Sequence, residues 1–365
     1  MDDGRSRVAN ALYHARGGLF AALLASLLTA CGGSDADDLL SDYQQRLAEA
    51  LDARAPEPQA PDNIGAFPDQ DQRLFEIPEI RESLLNVYAL RECQITSLVA
   101  ERNNQLGRVA VPSQRWLYEL ELWRRLDACW RSDVPDDLAD SDRQRLERIT
   151  DTKTEHLPWA SWNALFGSSE WVGNFSRASR PLPVASHIDF EAHLAALEYL
   201  REGVLHQFDP AWEPDGSTLA DHLQTLSREP LTARVLRSLM LTTQRLEESN
   251  RMLASALDAT PTCQRLDDFD GSPLRAEVDA YLTHLESQAE RWLNAVNAVF
   301  DAHPVSRSAA ERYRQTWLAT SADNGDASAP WLRFRQAYDT HRSLLERWST
   351  QCALTQQRQE DGSWG

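Results

Sequence analysis

The stretch LTARVLRSLMLTTQRLEESNRMLASAL, residues 231–257, decides the fold class. Leu231, Val235, Leu236, Leu239, Leu246 and Leu253 recur at helical intervals, so one face is apolar while arginines and glutamates fall on the other. No glycine or proline interrupts it, and Pro230 stands just before its start. The same period returns in Leu40, Tyr43, Leu47 and Leu51. It returns again in Trp116, Leu120, Trp123, Leu126 and Trp130, a stripe opened by Pro112, with Ser113 expected as its cap. Further helices are expected near 141–156, 189–206, 217–228, 273–302, 306–320 and 330–353. No useful stretch alternates as a strand would, and no fixed repeat suggests a solenoid. The expected fold is all-α, an irregular multi-helix bundle built from antiparallel helical hairpins.

Breaks between these elements give the organisation. Pro56, Pro58, Pro61 and Pro68 make 55–72 a linker or an extended wrap. A helix is expected from Pro78 through Leu84, Leu85, Tyr88, Leu98 and Val99 to about Asn103, folding back on the Pro112 helix through the break at 104–111, which contains Gly107. Residues 157–188 hold Trp159, Trp162 and Trp171 and read as too broken for regular helix, which makes those indoles candidates for a glycan-binding surface, with core packing of a loop the favoured alternative.

The amino terminus carries a different signal. Arg5, Arg7 and Arg16 precede an apolar run from Leu19 to Leu28, and Leu28-Thr29-Ala30-Cys31 closes it. The run is far shorter than the roughly 20 residues of a membrane span. It reads as a lipoprotein signal peptide, 1–30, removed to leave Cys31 acylated, then a polar tether at 31–38 and a single helical domain at 39–365. Each buried methylene contributes about 0.8 kcal/mol, so two or three chains would hold firmly. Gly32, where an aspartate would retain the protein in the inner membrane, points to the outer membrane with the domain facing the periplasm.

Charge and cysteine usage bound the function. The 365-residue chain has a net charge of -19, and Lys153 is its one lysine. Such acidity repels nucleic acid and anionic headgroups, so DNA, RNA and polybasic membrane binding are all disfavoured. Beyond Cys31, the four cysteines Cys93, Cys129, Cys263 and Cys352 suit two disulfides in an oxidising compartment. Cys93 and Cys129 lie nearly symmetrically about the break at 104–111, and Cys352 ends the last helix within reach of Cys263. The favoured pairs are therefore Cys93–Cys129 and Cys263–Cys352.

The densest polar block is Glu101-Arg102-Asn103-Asn104-Gln105-Leu106-Gly107-Arg108-Val109, followed by Pro112-Ser113-Gln114-Arg115 and Tyr118-Glu119. Here the chain resembles an uncharacterised family of proteobacterial lipoproteins, domain of unknown function 3080. That family shows an E-R-N-S-x-L-G-R-V block, then P-S-Q-R and Y-E, with flanking cysteines; Asn104 stands where the serine is expected. The resemblance implies location and architecture, with no activity attached.

Glu101, Arg102, Asn103 and Arg108 are the candidate ligand or partner residues, since carboxylate and guanidinium groups give directional contacts. The structural alternative is a network that fixes the turn, with Gly107 in the left-handed region. Asp268-Phe269-Asp270-Gly271 with Glu277 matches only part of a calcium loop, and Ser272-Pro273 reads better as a helix start. Asp189/His193 and Glu202/His206 are weak metal candidates, and no metal or cofactor is expected. The leading expectation is a non-enzymatic envelope binding or scaffold protein. The alternative is a peptidoglycan-binding or cell-wall-cleaving enzyme using an acidic pair.

Overall fold

The computed structural model describes residues 35–185, 188–258, 263–323 and 325–362, with the side chains of Arg108, Gln264, Leu266 and 355–362 left outside the description. Cys31 and the expected leader and early tether lie outside the described residues. Ten longer helices organise the chain: α1 (Asp35–Leu51), α2 (Thr96–Asn103), α3 (Pro112–Trp130), α4 (Asp140–Phe166), α5 (Phe190–Leu205), α6 (Gly216–Arg228), α7 (Leu231–Leu257), α8 (Cys263–Asp270), α9 (Pro273–Ala302) and α10 (Pro330–Gly362). Among the described residues there is no strand, and the fold is an all-α bundle.

Helix α7 is the axis of the main body and packs against α1, α9 and α10. Its expected stripe is its buried face: Leu231, Val235, Leu236, Leu239 and Leu253 are fully enclosed. Polar groups on that face find partners locally. Thr243 donates to the Leu239 carbonyl, Ser249 to the Arg245 carbonyl, and Thr232 accepts the Trp292 indole N–H. Arg245, only 1% exposed, is neutralised by Asp37 at 2.8 Å and Glu248 at 3.2 Å. That pairing fastens α1 to α7. It also corrects the expected tether, because helix starts at Asp35, with Ala36 buried.

Helices α3 and α4 form the antiparallel pair that carries the chain out of the main body. Trp123 donates its indole N–H to Thr154 at 2.9 Å, and Lys153 meets Glu119 at 2.6 Å. The segment before α3 also folds back on it, as expected, but the main partner of α3 is α4, which the sequence pattern did not pair with it. The expected end of α4 near 156 is corrected: the helix runs through Pro158 to Phe166 because Leu157, Ala160, Trp162, Leu165 and Phe166 all bury there. Packing overrides the breaker. Helix α3 begins with Pro112 at its first turn after an extended Val111, and Ser113 is not its cap.

Residues 53–69 wrap across the main body in extended form. Ile64 is fully buried, and Phe67 stacks on Phe175 at 4.2 Å with its edge to Tyr313. A Cβ on Gly65 would sit 2.5 Å from the Trp317 side chain, so only glycine lets the wrap lie this close. Beyond it, Asn163 clasps the backbone of Phe75 through both its amide oxygen and its amide nitrogen at 2.8 Å.

Two separate cores result. The large one joins α1, the first half of α3 through Trp116, Leu120 and Trp123, and α4 through α10. The small one lies at the far part of the α3–α4 pair and consists of Leu90, Cys93, Ile95, Leu122, Leu126, Cys129, Leu146 and Ile149.

Candidate functional site

The small core is the centre of a lobe built from residues 80–111 laid against α3 and α4. A continuous helix from Pro78 to Asn103 does not form. Instead the chain makes a helical turn at Leu84–Ala89 and a tight turn at Arg91–Cys93 before α2 begins. Gln94 between them takes φ 57°, a left-handed conformation that no helix can pass through. Its carbonyl accepts from Arg125 at 2.6 Å, which anchors the kink to α3. The Cys93–Cys129 disulfide, with Cα atoms 5.1 Å apart, staples the same point. Glu82 holds the outer side, meeting Arg148 at 2.5 Å and Arg145 at 3.4 Å.

The polar block forms the tip of the turn that leads this lobe back to the start of α3, the end of that helix whose Trp116 lies in the large core. Arg102 donates to the Gly107 carbonyl at 2.7 Å and lies over the Tyr118 ring, 5.9 Å from its centroid. Burial, reinforced by the nearby Glu119 carboxylate, pushes the Tyr118 hydroxyl far above its ordinary pKa, so the ring stays neutral beneath the guanidinium. Asn104 accepts from the Gly107 N–H at 2.8 Å, an amide capping the short turn where a serine was expected. Gly107 is not left-handed, contrary to expectation. Its requirement is close approach, since a Cβ would fall 2.4 Å from the Glu101 carbonyl oxygen. Arg102 is thus a bracing residue. Glu101 and Asn103 are exposed on the same helix end, and the side chain of Arg108 lies outside the described part of the structure.

What sequence reasoning missed is the apolar surface of this lobe. Leu84, Leu85, Tyr88, Leu106, Val109 and Val111 are all exposed, Leu84 at 85% and Leu106 at 79%. Their only signal was position: each lies in a segment cut short by turns, too brief to bury a stripe.

The other candidates resolve into packing. Trp162 and Trp171 are buried in the aromatic cluster with Phe166 and Phe300, and half-buried Trp159 stacks on Phe75 and His156. They form no open glycan surface. Asp189 caps α5 through the Ala192 N–H while His193 is buried, and Glu202 pairs with exposed His206 at 3.0 Å. Asp268 and Asp270 lie in α8, and Ser272 caps α9. Among the described residues, no three histidine, cysteine or carboxylate groups converge as metal ligands. No described helix is long and apolar enough to cross a membrane. The second disulfide, Cys263–Cys352, ties α8 to α10 as expected, with Cα atoms 5.4 Å apart.

A buried polar chain in the main body had no sequence signal. The Asn250 amide nitrogen donates to the Ala337 carbonyl at 2.9 Å, which turns its oxygen towards His341 Nδ1 at 2.8 Å. Nδ1 therefore carries the proton, and Nε2 accepts from the Tyr43 hydroxyl at 2.7 Å. Burial, with Arg275 nearby, pushes His341 down to about 3. The group is neutral, satisfied and sealed, so it organises α1, α7 and α10 without reaching solvent.

No curated protein and no solved structure matches the chain. A family described as a protein of unknown function (DUF3080) matches residues 40–356, which takes in the main body, both disulfides and the whole stapled lobe, and the chain belongs to that family.

Proposed function

We propose that this protein is a non-enzymatic helical lipoprotein, acylated on Cys31, held to the outer membrane facing the periplasm, and acting there as a binding or scaffold module. The observation that carries the binding role is the lobe tip, where several large apolar side chains stand in water on a framework stapled by a disulfide and braced by Arg102. Rigid presentation of exposed apolar groups suits recognition, because little order must be created on contact. The two disulfides agree with an oxidising envelope compartment. The lipobox pattern at Leu28-Thr29-Ala30-Cys31 supports the anchor.

Tethering supplies the mechanism. A lipid on Cys31 confines the bundle to a thin layer and raises its effective concentration beside neighbours there. Metabolic labelling with palmitate is expected to mark the wild-type protein and to leave Cys31→Ser unmarked. An unlabelled wild-type protein recovered wholly in the soluble fraction overturns the anchored reading.

A further inference from the structure

Two strips of the stapled lobe share an unusual combination of chemistry. Leu84, Leu85 and Tyr88 lie on one face of a single helical turn, and Leu106, Val109 and Val111 follow the turn at the lobe tip. Leu85 at 81% and Val109 at 76% exposure protrude as knobs and do not wall a groove. Separate protruding aliphatic groups give a folded partner little concave surface to grip, yet a fluid apolar medium accepts each of them.

The charge around the tip reverses that of the whole chain. From Glu101 to Tyr118 the sequence carries Arg102, Arg108 and Arg115 against the single carboxylate of exposed Glu101, in a protein with 56 acidic residues. Arg115 is exposed, and the flanking Glu119 is already engaged by Lys153 at 2.6 Å. A local excess of arginine beside exposed leucine and valine complements a surface with negative headgroups over hydrocarbon.

We infer that the tip of the stapled lobe docks onto an anionic phospholipid bilayer, seating Leu106, Val109 and Val111 below the headgroups with Arg115 among the phosphates. This deepens the proposed anchored role, on which it rests: the lipid on Cys31 delivers the protein to a membrane, and the lobe supplies a second contact that fixes its orientation. The long-range repulsion expected of an acidic protein is overcome locally, because exposed charges beyond about one Debye length, roughly 8 Å at physiological salt, are largely screened.

Amide hydrogen exchange of the full acylated chain tests this in vesicles of phosphatidylcholine alone and in vesicles containing phosphatidylglycerol. The anchor should hold the protein on both, which flotation reports directly. Exchange across 104–111 is expected to slow at least about fivefold on the anionic vesicles only, and Leu106→Ser/Val109→Ser or Arg115→Glu is expected to abolish that slowing. These substitutions sit at exposed positions, and an unchanged melting temperature shows that the fold survives them. Equal exchange on both vesicle types overturns the docking while leaving the anchor intact; failure to float overturns the anchor instead. Slowing that grows with protein concentration in solution, without vesicles, assigns the tip to a second copy of the chain and equally overturns the inference.

Discussion

Gly107 and Tyr43 show how much can rest on one atom. Gly107→Ala places a methyl 2.4 Å from the Glu101 carbonyl, against backbone that cannot rotate away. The turn must open and Arg102 lose its acceptor, at a cost of about 1–3 kcal/mol. The lobe is expected to show faster amide exchange across 96–111, with α7 unaffected. Tyr43→Phe removes the donor to buried His341 Nε2 and leaves that nitrogen unsatisfied. Thermal melting is expected to report a loss of about 1–3 kcal/mol. Neither residue's role was legible in the sequence. Tyr43 was visible as an apolar-face residue of α1, but its partner lies 298 positions away. Gly107 was visible as a breaker, yet its reason is crowding by backbone, which no residue pattern encodes.

At the scale of elements, periodicity was a good guide wherever an apolar stripe could bury itself. Leu231–Leu257, Pro112–Trp130 and Pro273–Ala302 form close to where their stripes end. It misled where tertiary contacts outweighed local preference. Pro158 is carried inside α4 by the aromatic cluster around Trp162, and the expected helix after Pro78 is cut at Gln94 by the disulfide and Arg125. Both cysteine pairs were legible because a staple between helices constrains spacing on both sides of a turn. The Cys93–Cys129 bond spans 36 positions, a loop whose closure contributes about 4 kcal/mol in the chain-entropy account. Replacing both by alanine is expected to destabilise the lobe by about 2–4 kcal/mol. Proteolysis should then cut first within 80–111, while Cys263→Ala/Cys352→Ala leaves that segment protected.

For the molecule as a whole, acid acts on the main body through two buried histidines. His303 and His341 both belong to the main body, and burial pushes them down to about 4 and about 3 from an ordinary 6.5. Above pH 6.5 they are neutral in folded and unfolded chains alike and cost nothing. Below it the unfolded chain takes up protons that the folded chain refuses, so stability falls as pH drops from about 6.5 towards 3–4. Each histidine contributes on the order of a few kcal/mol to that loss. Denaturant titrations at pH 7.5 and pH 5 should show it, and His341→Asn should lessen the difference. A rise in stability at pH 5 would contradict the buried neutral pair. The candidate site was half legible: its polar block stood out by composition, but Leu84, Leu85 and Tyr88 read as part of one long helix, and no pattern marked Leu106, Val109 and Val111 as exposed.

The early start of α1 sets a reach. With Asp35 already fixed in helix, a lipid on Cys31 leaves four peptide steps of slack, at most about 14 Å. On the proposed anchor, so short a mooring line would keep the body from swinging far out, and whatever it met would have to lie low, close to the sheet of lipid.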